Sequence, residues 1–258
     1  MFDCVRYAQK ANSNTHILRL LRSMGVVTDA VSLGEIERAL RAGYVPGTSA
    51  HEIVFTADII DKTTLARVLE LGIPVNCGSP DMVRQVGRAG RGHPVWLRIN
   101  PGFGHGHNRK TNTGGPSSKH GIWHEEFEDS LGLVDEYGLS LIGLHMHIGS
   151  GVDYDHLHRV CESMLDAVRR ANRPLQAISA GGGLSVPYRS GEPEIDIAAY
   201  HAAWNTTRLE AERITGSRMR LELEPGRYLV GNAGLLVAGQ PQATVEHVLV
   251  VRRTENEV

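Results

Sequence analysis

The sequence predicts an α/β protein built as a TIM-type barrel of eight parallel strands, each followed by a helix. Short apolar runs rich in β-branched residues alternate with amphipathic stretches of helical period, and this alternation is typical of parallel βαβ units. Eight such units occupy about 225 residues, which is the usual size of a (β/α)8 barrel. An open doubly wound sheet normally has fewer strands.

Residues that favour helix ends separate the predicted strands from the helices. Gly25 stands where the C-terminal cap of the first helix belongs, and Ser32 with Glu35 forms the pattern of a capping box. Ser79 followed by Pro80 predicts the N-cap and first residue of a helix that extends to about residue 86. The eight predicted strands cover residues 4–9, 26–31, 53–57, 73–76, 95–100, 141–147, 175–179 and 219–223.

Composition excludes several functional classes. The 258 residues carry a formal net charge of -2 at pH 7, so no broad basic surface for nucleic acid or an anionic membrane is expected. No stretch reaches the ~18 uninterrupted apolar residues of a membrane span, and the first residues do not resemble a signal peptide. The three cysteines are widely spaced and form no CxxC, which argues against disulfides or structural zinc. We therefore expect a cytoplasmic protein that acts on a small molecule.

Polar and glycine-rich segments follow the predicted strands, at the barrel face where loops assemble active sites. In YAQKAN, Lys10 lies just past the first strand, where reduced solvation favours Schiff-base chemistry, although a lysine there is also compatible with a solvated surface charge. In HMHIGSG, small residues and the Ser150 hydroxyl can bind an anion. The stretch 101–121 has no helical or strand period and is predicted to be a functional loop.

The segments after the last two predicted strands have the character of a phosphate site. Three consecutive glycines at 181–183 let backbone N–H groups approach a phosphate, although a flexible turn is the alternative. In ELEPGRYLV, Arg227 can bind phosphate through two N–H groups, although an ion pair with Glu224 is equally compatible. Phosphate sites in barrels favour the loops after strands seven and eight.

A metal site is the competing interpretation of the histidines. An HxH pair at His145 and His147 directs both rings to the same side of a strand, and His105 and His107 offer a second pair. No carboxylate-rich ligand motif follows another strand, so no metal site is predicted.

Taken in order, YAQKAN, DAVSLGE, HMHIGSG, AGGG and EPGR resemble the motifs of the alanine-racemase-fold decarboxylases that depend on pyridoxal 5'-phosphate (PLP). Within that group, NPGFGHGH, KTNTGG and SKHG resemble the diaminopimelate decarboxylases, and the resemblance covers residues 2–239. It implies a barrel of the alanine racemase N-terminal domain kind and PLP as the cofactor. The implied reaction is decarboxylation of meso-2,6-diaminopimelate to L-lysine, the last step of lysine biosynthesis.

The resemblance also assigns roles to individual residues. Lys10, His147 and Glu224 are the implied catalytic residues, because Lys10 carries the cofactor, His147 stacks on its ring and Glu224 pairs with the pyridine nitrogen. His120 departs from the family pattern, which commonly has an aromatic residue at this position. The implied cofactor-binding residues are Lys10, Asp29, Arg98, His147, Ser150, Gly181, Gly182, Gly183, Glu224, Gly226 and Arg227.

By the same resemblance, residues 1–227 form the PLP-binding barrel and residues 228–258 the beginning of a truncated C-terminal β-domain. That domain contributes to the active site across a dimer interface in the family, so a homodimer that binds an amino-acid substrate is expected. Three alternatives remain open: a noncatalytic PLP-binding protein, a decarboxylase of a related diamino acid, and a metal-dependent barrel hydrolase that uses His145 and His147.

Overall fold

The computed structural model describes residues 1–47, 51–104, 114–116, 118–147, 154–188 and 191–234. Strands β1 to β5 are Cys4–Ala8, Val27–Ala30, Ile53–Phe55, Val75–Cys77 and Pro94–Asn100, and β6 to β9 are Ile122–Trp123, Ser140–His145, Ala177–Ser179 and Arg220–Leu223. Helices α1 to α4 are Thr15–Ser23, Leu33–Ala42, Lys62–Glu70 and Pro80–Ala89, and α5 to α8 are Phe127–Glu136, Tyr154–Ala171, Ile197–Thr215 and Arg227–Val230.

Eight of these strands close into a parallel barrel. The pairing runs from β1 through β2, β3, β4 and β5 to β7, β8 and β9, and β9 pairs with β1 again. The predicted (β/α)8 barrel is therefore confirmed. The additional strand β6 has two residues and pairs with β5, and it was not predicted because two residues are too few to show a period.

The strands contribute both apolar and charged side chains to buried positions. Val54, Trp96, Ile142 and Ala177 form a small buried cluster of their own, separate from the large cluster that the helices share with the strands. Arg6 of β1 and Glu222 of β9 form an ion pair of 2.8 Å in which each side chain is 1% exposed. Such a pair is retained only when the charges are matched and hydrogen-bonded, and Arg6 also donates to the carbonyl oxygen of His51.

Side-chain caps fix where the outer helices begin. Ser79 accepts a hydrogen bond from the Met82 amide at 3.2 Å, which confirms the predicted start of α4, although this helix continues to Ala89. Asp61 and Asp196 cap α3 and α7 in the same way. Gly25 follows the end of α1 with φ of +81°, as predicted. No helix within the described ranges is long and apolar enough to cross a membrane.

The predicted capping box at α2 is half correct. The Ser32 hydroxyl accepts the amide of Glu35 at 3.3 Å, as the pattern requires. The Glu35 carboxylate, however, accepts the amide of Val31 at 2.8 Å, where a capping box would bond the amide of Ser32. The carboxylate thus reaches one residue further back and ties the helix start to the end of β2.

Candidate active site

The carboxyl ends of the barrel strands surround a cavity of about 280 Å³. The strand registers bring Arg98 of β5 opposite His145 of β7, and His145 opposite Ser179 of β8. Side chains from distant parts of the sequence therefore meet at one level, at the end of the barrel where active sites of this fold lie. Of the predicted cofactor-binding residues, Ser150 lies outside the described residues, and all the others except Gly181 line this cavity.

Lys10 lies in the 3-10 turn Gln9–Ala11, which follows β1 directly. It is exposed, and it lines the same cavity as Gly226 and Arg227 of the loop after β9. The two loops are joined because the Ala8 amide donates to the Pro225 carbonyl oxygen at 3.0 Å. Lys10 and the predicted phosphate loop therefore lie at the same end of the barrel, side by side.

Glu224 follows β9 and is held by two side chains, one from β7 and one from β8. His145 Nε2 lies 2.8 Å from Glu224 Oε2, and the Ser179 hydroxyl donates to Oε1 at 3.3 Å. Burial alone would raise the pKa of this carboxyl, but the charge and hydrogen bond of His145, with Arg6 behind it, outweigh burial and lower the pKa well below its usual range. The carboxylate is therefore ionised, and His145 Nε2 is the donor.

His147 lies just beyond β7 at the wall of the cavity. Its Nδ1 accepts the backbone N–H of Gly182 at 3.1 Å, so this nitrogen carries no proton. Burial, and then the nearby cations Arg98 and Lys10, lower the pKa of the ring well below 6.5. His147 is consequently a neutral imidazole whose orientation is fixed by the glycine loop.

The glycine loop after β8 needs its glycines because other backbone segments approach it closely. Gly181 has φ of +62°, and its carbonyl oxygen accepts the Glu224 amide at 2.8 Å. A Cβ at Gly182 would overlap the carbonyl oxygen of Glu224. The two loops after β8 and β9 are thereby held against each other, with the Gly182 and Gly183 backbone at the cavity.

Asp29 of β2 and Thr56, just after β3, lie deeper in the same cavity. Asp29 is 2% exposed, and Thr56 interacts with its carboxyl, although neither Asp29 Oδ1 nor the Thr56 hydroxyl makes a hydrogen bond of ordinary geometry to a described residue. Burial, and then the negative charge of Glu224, raise the pKa of Asp29. Buried polar atoms normally have partners, so these two point to a ligand or water.

Arg98 forms another wall and connects the cavity to residues that the sequence did not indicate. Its guanidinium lies 3.4 Å from the His147 carbonyl oxygen and 3.8 Å from Asp58 Oδ1. Asp58 in turn lies 2.5 Å from the imidazole of His120. Neither Asp58 nor Thr56 belongs to a motif, and only a prediction of the strand pairing could have located them.

The histidines considered for a metal have other bonds. His145 Nε2 is engaged by Glu224, and His147 Nδ1 by Gly182. Within the described ranges no group of three or more His, Cys, Asp and Glu residues is arranged to hold a metal. His105 and His107 lie outside the described residues.

The cavity residues fit a phosphorylated pyridine aldehyde. Lys10 supplies the amine that an aldehyde requires, and the ionised Glu224 can pair with a protonated ring nitrogen. The Gly183 and Gly226 backbone at the cavity and Arg227 are suited to a phosphate. The buried Asp29 and Thr56 oxygens offer further polar contacts to a bound group.

Comparisons with known proteins agree with this geometry. Residues 3–231 match the family model described as "Pyridoxal-dependent decarboxylase, pyridoxal binding domain". The diaminopimelate decarboxylase of Streptomyces coelicolor is 65% identical over 237 residues, which are 92% of this chain and 54% of that protein. The chain thus spans about half the length of the curated relatives that it matches.

Solved structures show the same likeness. A crystal structure of diaminopimelate decarboxylase is 59% identical with a TM-score of 0.85, over 88% of this chain and 54% of that one. The Helicobacter pylori diaminopimelate decarboxylase, complexed with L-lysine, is 27% identical with a TM-score of 0.73, over 88% of this chain and 57% of that one. With the family model matched over most of its length, this chain belongs to the pyridoxal-dependent decarboxylases.

Proposed function

We propose that this chain supplies the cofactor-binding barrel of a diaminopimelate decarboxylase, which releases carbon dioxide from meso-2,6-diaminopimelate and leaves L-lysine. The observation that carries the proposal is the single cavity that Lys10, Glu224 and the glycine loops border together. The relative from Streptomyces coelicolor bears this enzyme name at 65% identity, and the Helicobacter pylori structure contains L-lysine, the expected product.

The proposed cofactor is pyridoxal 5'-phosphate. When bound, it supplies an electron sink for the electron pair that remains at the α-carbon after the carboxylate departs. In this proposal the Lys10 amine would attach covalently to the aldehyde carbon of the cofactor. The Gly183 and Gly226 backbone, with the Arg227 guanidinium and the Ser150 hydroxyl, would hold the phosphate, whereas the Gly181 N–H already donates to Ser179 Oγ and the Gly182 N–H to His147 Nδ1. Asp29 and Arg98 form the remaining walls of the cavity.

Glu224 and His147 prepare the cavity electrostatically. Because His145 keeps Glu224 ionised, the carboxylate favours a proton on the pyridine nitrogen, and a protonated ring withdraws electrons more strongly. The neutral His147 ring, oriented by the Gly182 N–H, offers a flat face for stacking without adding a second positive charge. In this proposal these two residues therefore determine how strongly the ring of the bound cofactor would withdraw electrons from the substrate.

Cofactor binding can be tested with this chain alone. With pyridoxal 5'-phosphate, wild type should develop a visible absorbance band, and borohydride reduction should abolish the band and leave the cofactor covalently attached to Lys10. Lys10→Ala should lack the band, whereas Lys62→Ala, at the exposed first residue of α3, should keep it. A band of equal intensity in Lys10→Ala would show that another amine carries the cofactor.

Release of carbon dioxide from meso-diaminopimelate tests the reaction itself. Because the chain spans about half of its relatives, we propose to measure release with and without a polypeptide that corresponds to the unmatched part of the Streptomyces coelicolor enzyme. Cofactor binding without release in either case would favour a noncatalytic binding protein. Release from another diamino acid in preference would favour the related decarboxylases.

Further properties are part of this proposal. We propose that residues 1–227 are the barrel unit and 228–258 the beginning of a second unit, and that the protein is a cytoplasmic homodimer acting on an amino acid. The three described cysteines are all free, which is compatible with a reducing compartment. Sedimentation equilibrium would test the dimer, and a monomer at all concentrations would contradict it.

A further inference from the structure

Two loops and the end of one strand meet at Asp58, at the carboxyl end of the barrel. Asp58 lies in the connection between β3 and α3, Arg98 near the end of β5, and His120 just before β6. Asp58 Oδ1 lies 3.8 Å from Arg98 Nη1, and Asp58 Oδ2 lies 2.5 Å from His120 Nδ1. The Asp58 side chain is 27% exposed and that of His120 26%, whereas Arg98 is 11% exposed and reaches the cavity.

The distances show that the Asp58 carboxylate contacts His120 more closely than Arg98. Its short contact is to His120, and its contact to Arg98 is longer than an ordinary charge-assisted hydrogen bond. The other described contact of the guanidinium, to the His147 carbonyl oxygen, is also long at 3.4 Å. Arg98 is therefore a buried cation with loose contacts on both sides.

We propose that Asp58 and His120 are a positioning pair for Arg98: the protonation state of His120 sets how strongly Asp58 holds the guanidinium, and thereby how freely Arg98 serves an anionic group in the cavity. The nature of that group rests on the proposed function, since the phosphorylated cofactor and the substrate carboxylate are both anions. The pair itself does not depend on that function.

The physical basis is competition between two cations for one carboxylate. With His120 neutral, the full charge of Asp58 attracts Arg98. A proton on His120 places a positive charge at the short contact, so the attraction between Asp58 and Arg98 weakens. Burial, and then Arg98, lower the pKa of His120 below 6.5, Asp58 acts in the opposite direction, and Lys119 lowers it slightly. On the other side, Asp58, Glu224 and Asp29 are the carboxylates that act on Arg98.

Thermodynamic linkage makes the coupling measurable in both directions. An anion bound next to Arg98 offsets positive charge near His120, so binding should raise the pKa of His120. By reciprocity, protonation of His120 must then strengthen binding by the same factor. A shift of half a pKa unit corresponds to a roughly threefold change in Kd.

The first experiment needs no cofactor. The His120 ring is titrated by NMR in the full chain, its signal being identified by its loss in His120→Asn. Asp58→Asn should lower the pKa of His120 further, and Arg98→Met should raise it. His124→Asn, which changes the residue directly after β6, should leave the pKa of His120 unaltered. If neither Asp58→Asn nor Arg98→Met moves the pKa, the pair does not exist as proposed.

The second experiment measures Kd for pyridoxal 5'-phosphate between about pH 5 and pH 8 in wild type, His120→Asn and His124→Asn. Asparagine can still donate to Asp58 but cannot titrate, so it keeps the contact and removes the switch. The ratio of the Kd of His120→Asn to that of wild type should rise roughly two- to fivefold on acidification, and the cofactor's own ionisation cancels in this ratio. His124→Asn should follow wild type.

The outcomes separate the two proposals. Absence of cofactor binding at every pH would overturn the proposed function, while the cofactor-free titration would still decide whether the pair exists. Binding with a constant ratio across the pH range would overturn the positioning pair and leave the proposed function intact.

Discussion

Two carboxylates that are largely withdrawn from solvent share the cavity, and their surroundings move their pKa values in opposite directions. Glu224 is bonded to His145 and stays ionised. No cation among the described residues is bonded to Asp29, and burial and the charge of Glu224 outweigh the attraction of Lys10 and raise its pKa. Two like charges in one poorly solvated cavity cannot both be stable, and a neutral Asp29 beside an ionised Glu224 is the arrangement that lowers the repulsion.

Asp29 should therefore weaken the fold as pH rises. A carboxyl whose pKa is raised by folding contributes stability that is fully present below about pH 4 and is lost as pH rises through the raised pKa. Asp29→Asn imitates the neutral acid, so its free energy of unfolding should exceed that of wild type by about 1 kcal/mol or more at about pH 8, with a smaller difference at about pH 5. Urea unfolding without cofactor measures both.

Asp129→Asn, on the exposed side of α5, is the matched control and should show no such pH dependence. Equal differences between Asp29→Asn and wild type at both pH values would mean that Asp29 is already ionised in the folded protein at the lower pH.

Gly182 is the residue at which the two cavity loops are closest. Gly182→Ala would force a methyl group into the carbonyl oxygen of Glu224, and overpacking of this kind costs about 1–3 kcal/mol. Because Glu224 and the glycine loop would both move, cofactor affinity should fall as well. Gly132→Ala in α5 has open space around it and should instead be neutral or stabilise the fold by up to about 1 kcal/mol. Thermal unfolding and cofactor titration of both variants distinguish the effects.

The sequence could predict residues that stand in a motif but not their partners. Lys10, the glycines at 181–183 and Glu224 were predicted because each follows a strand. The pairing of His145 with Glu224 was not, because an HxH pattern gives the direction of a ring and says nothing of a side chain 79 residues away. Asp58 and Thr56 were missed for the same reason, since only the pairing of β3 with its neighbours brings Thr56 to the cavity and Asp58 close to Arg98.

At the scale of secondary structure, the sequence pattern predicted the positions of the strands well. It predicted less well which side chains of the helices are buried. All eight barrel strands overlap the predicted segments. In α1, however, Leu18 is fully buried whereas Leu20 is 62% exposed and the adjoining Met24 is 70% exposed. A strand in a closed barrel has both faces covered, whereas a helix on its outside buries one stripe. The helix therefore contains more apolar residues than its buried stripe can hold, and the remainder are exposed.

The start of α4 depends on one hydroxyl. Ser79 is the N-cap, and Pro80 occupies the first turn, where its missing N–H has no consequence. Ser79→Ala should lower the free energy of unfolding by about 1 kcal/mol, since the Met82 amide loses its acceptor. Ser23→Ala, at an exposed hydroxyl that only donates to a carbonyl within α1, should change it by less than about 0.5 kcal/mol. Equal effects in urea unfolding would show that the cap contributes nothing.

For the whole molecule, closure of the barrel makes the cavity a long-range structure. β1 at the beginning of the described chain pairs with β9 near its end, and the Ala8 amide bonds the Pro225 carbonyl. Lys10 and Glu224 can therefore border one cavity only when the entire barrel has formed. A ligand that contacts both loops binds the folded state and has no equivalent site in the unfolded chain.

Pyridoxal 5'-phosphate should accordingly stabilise the barrel as a unit. A ligand at one hundred times its Kd adds about 2.7 kcal/mol, which corresponds to a rise in Tm of roughly 5–10 °C for a domain of this size. Lys10→Ala should lose most of that rise because the covalent contact is gone, and Lys62→Ala should retain it. Differential scanning calorimetry with and without cofactor gives the comparison. A rise in Tm that is the same in Lys10→Ala and in wild type would mean that the cofactor binds elsewhere on the molecule, since stabilisation through this cavity requires the amine at its rim.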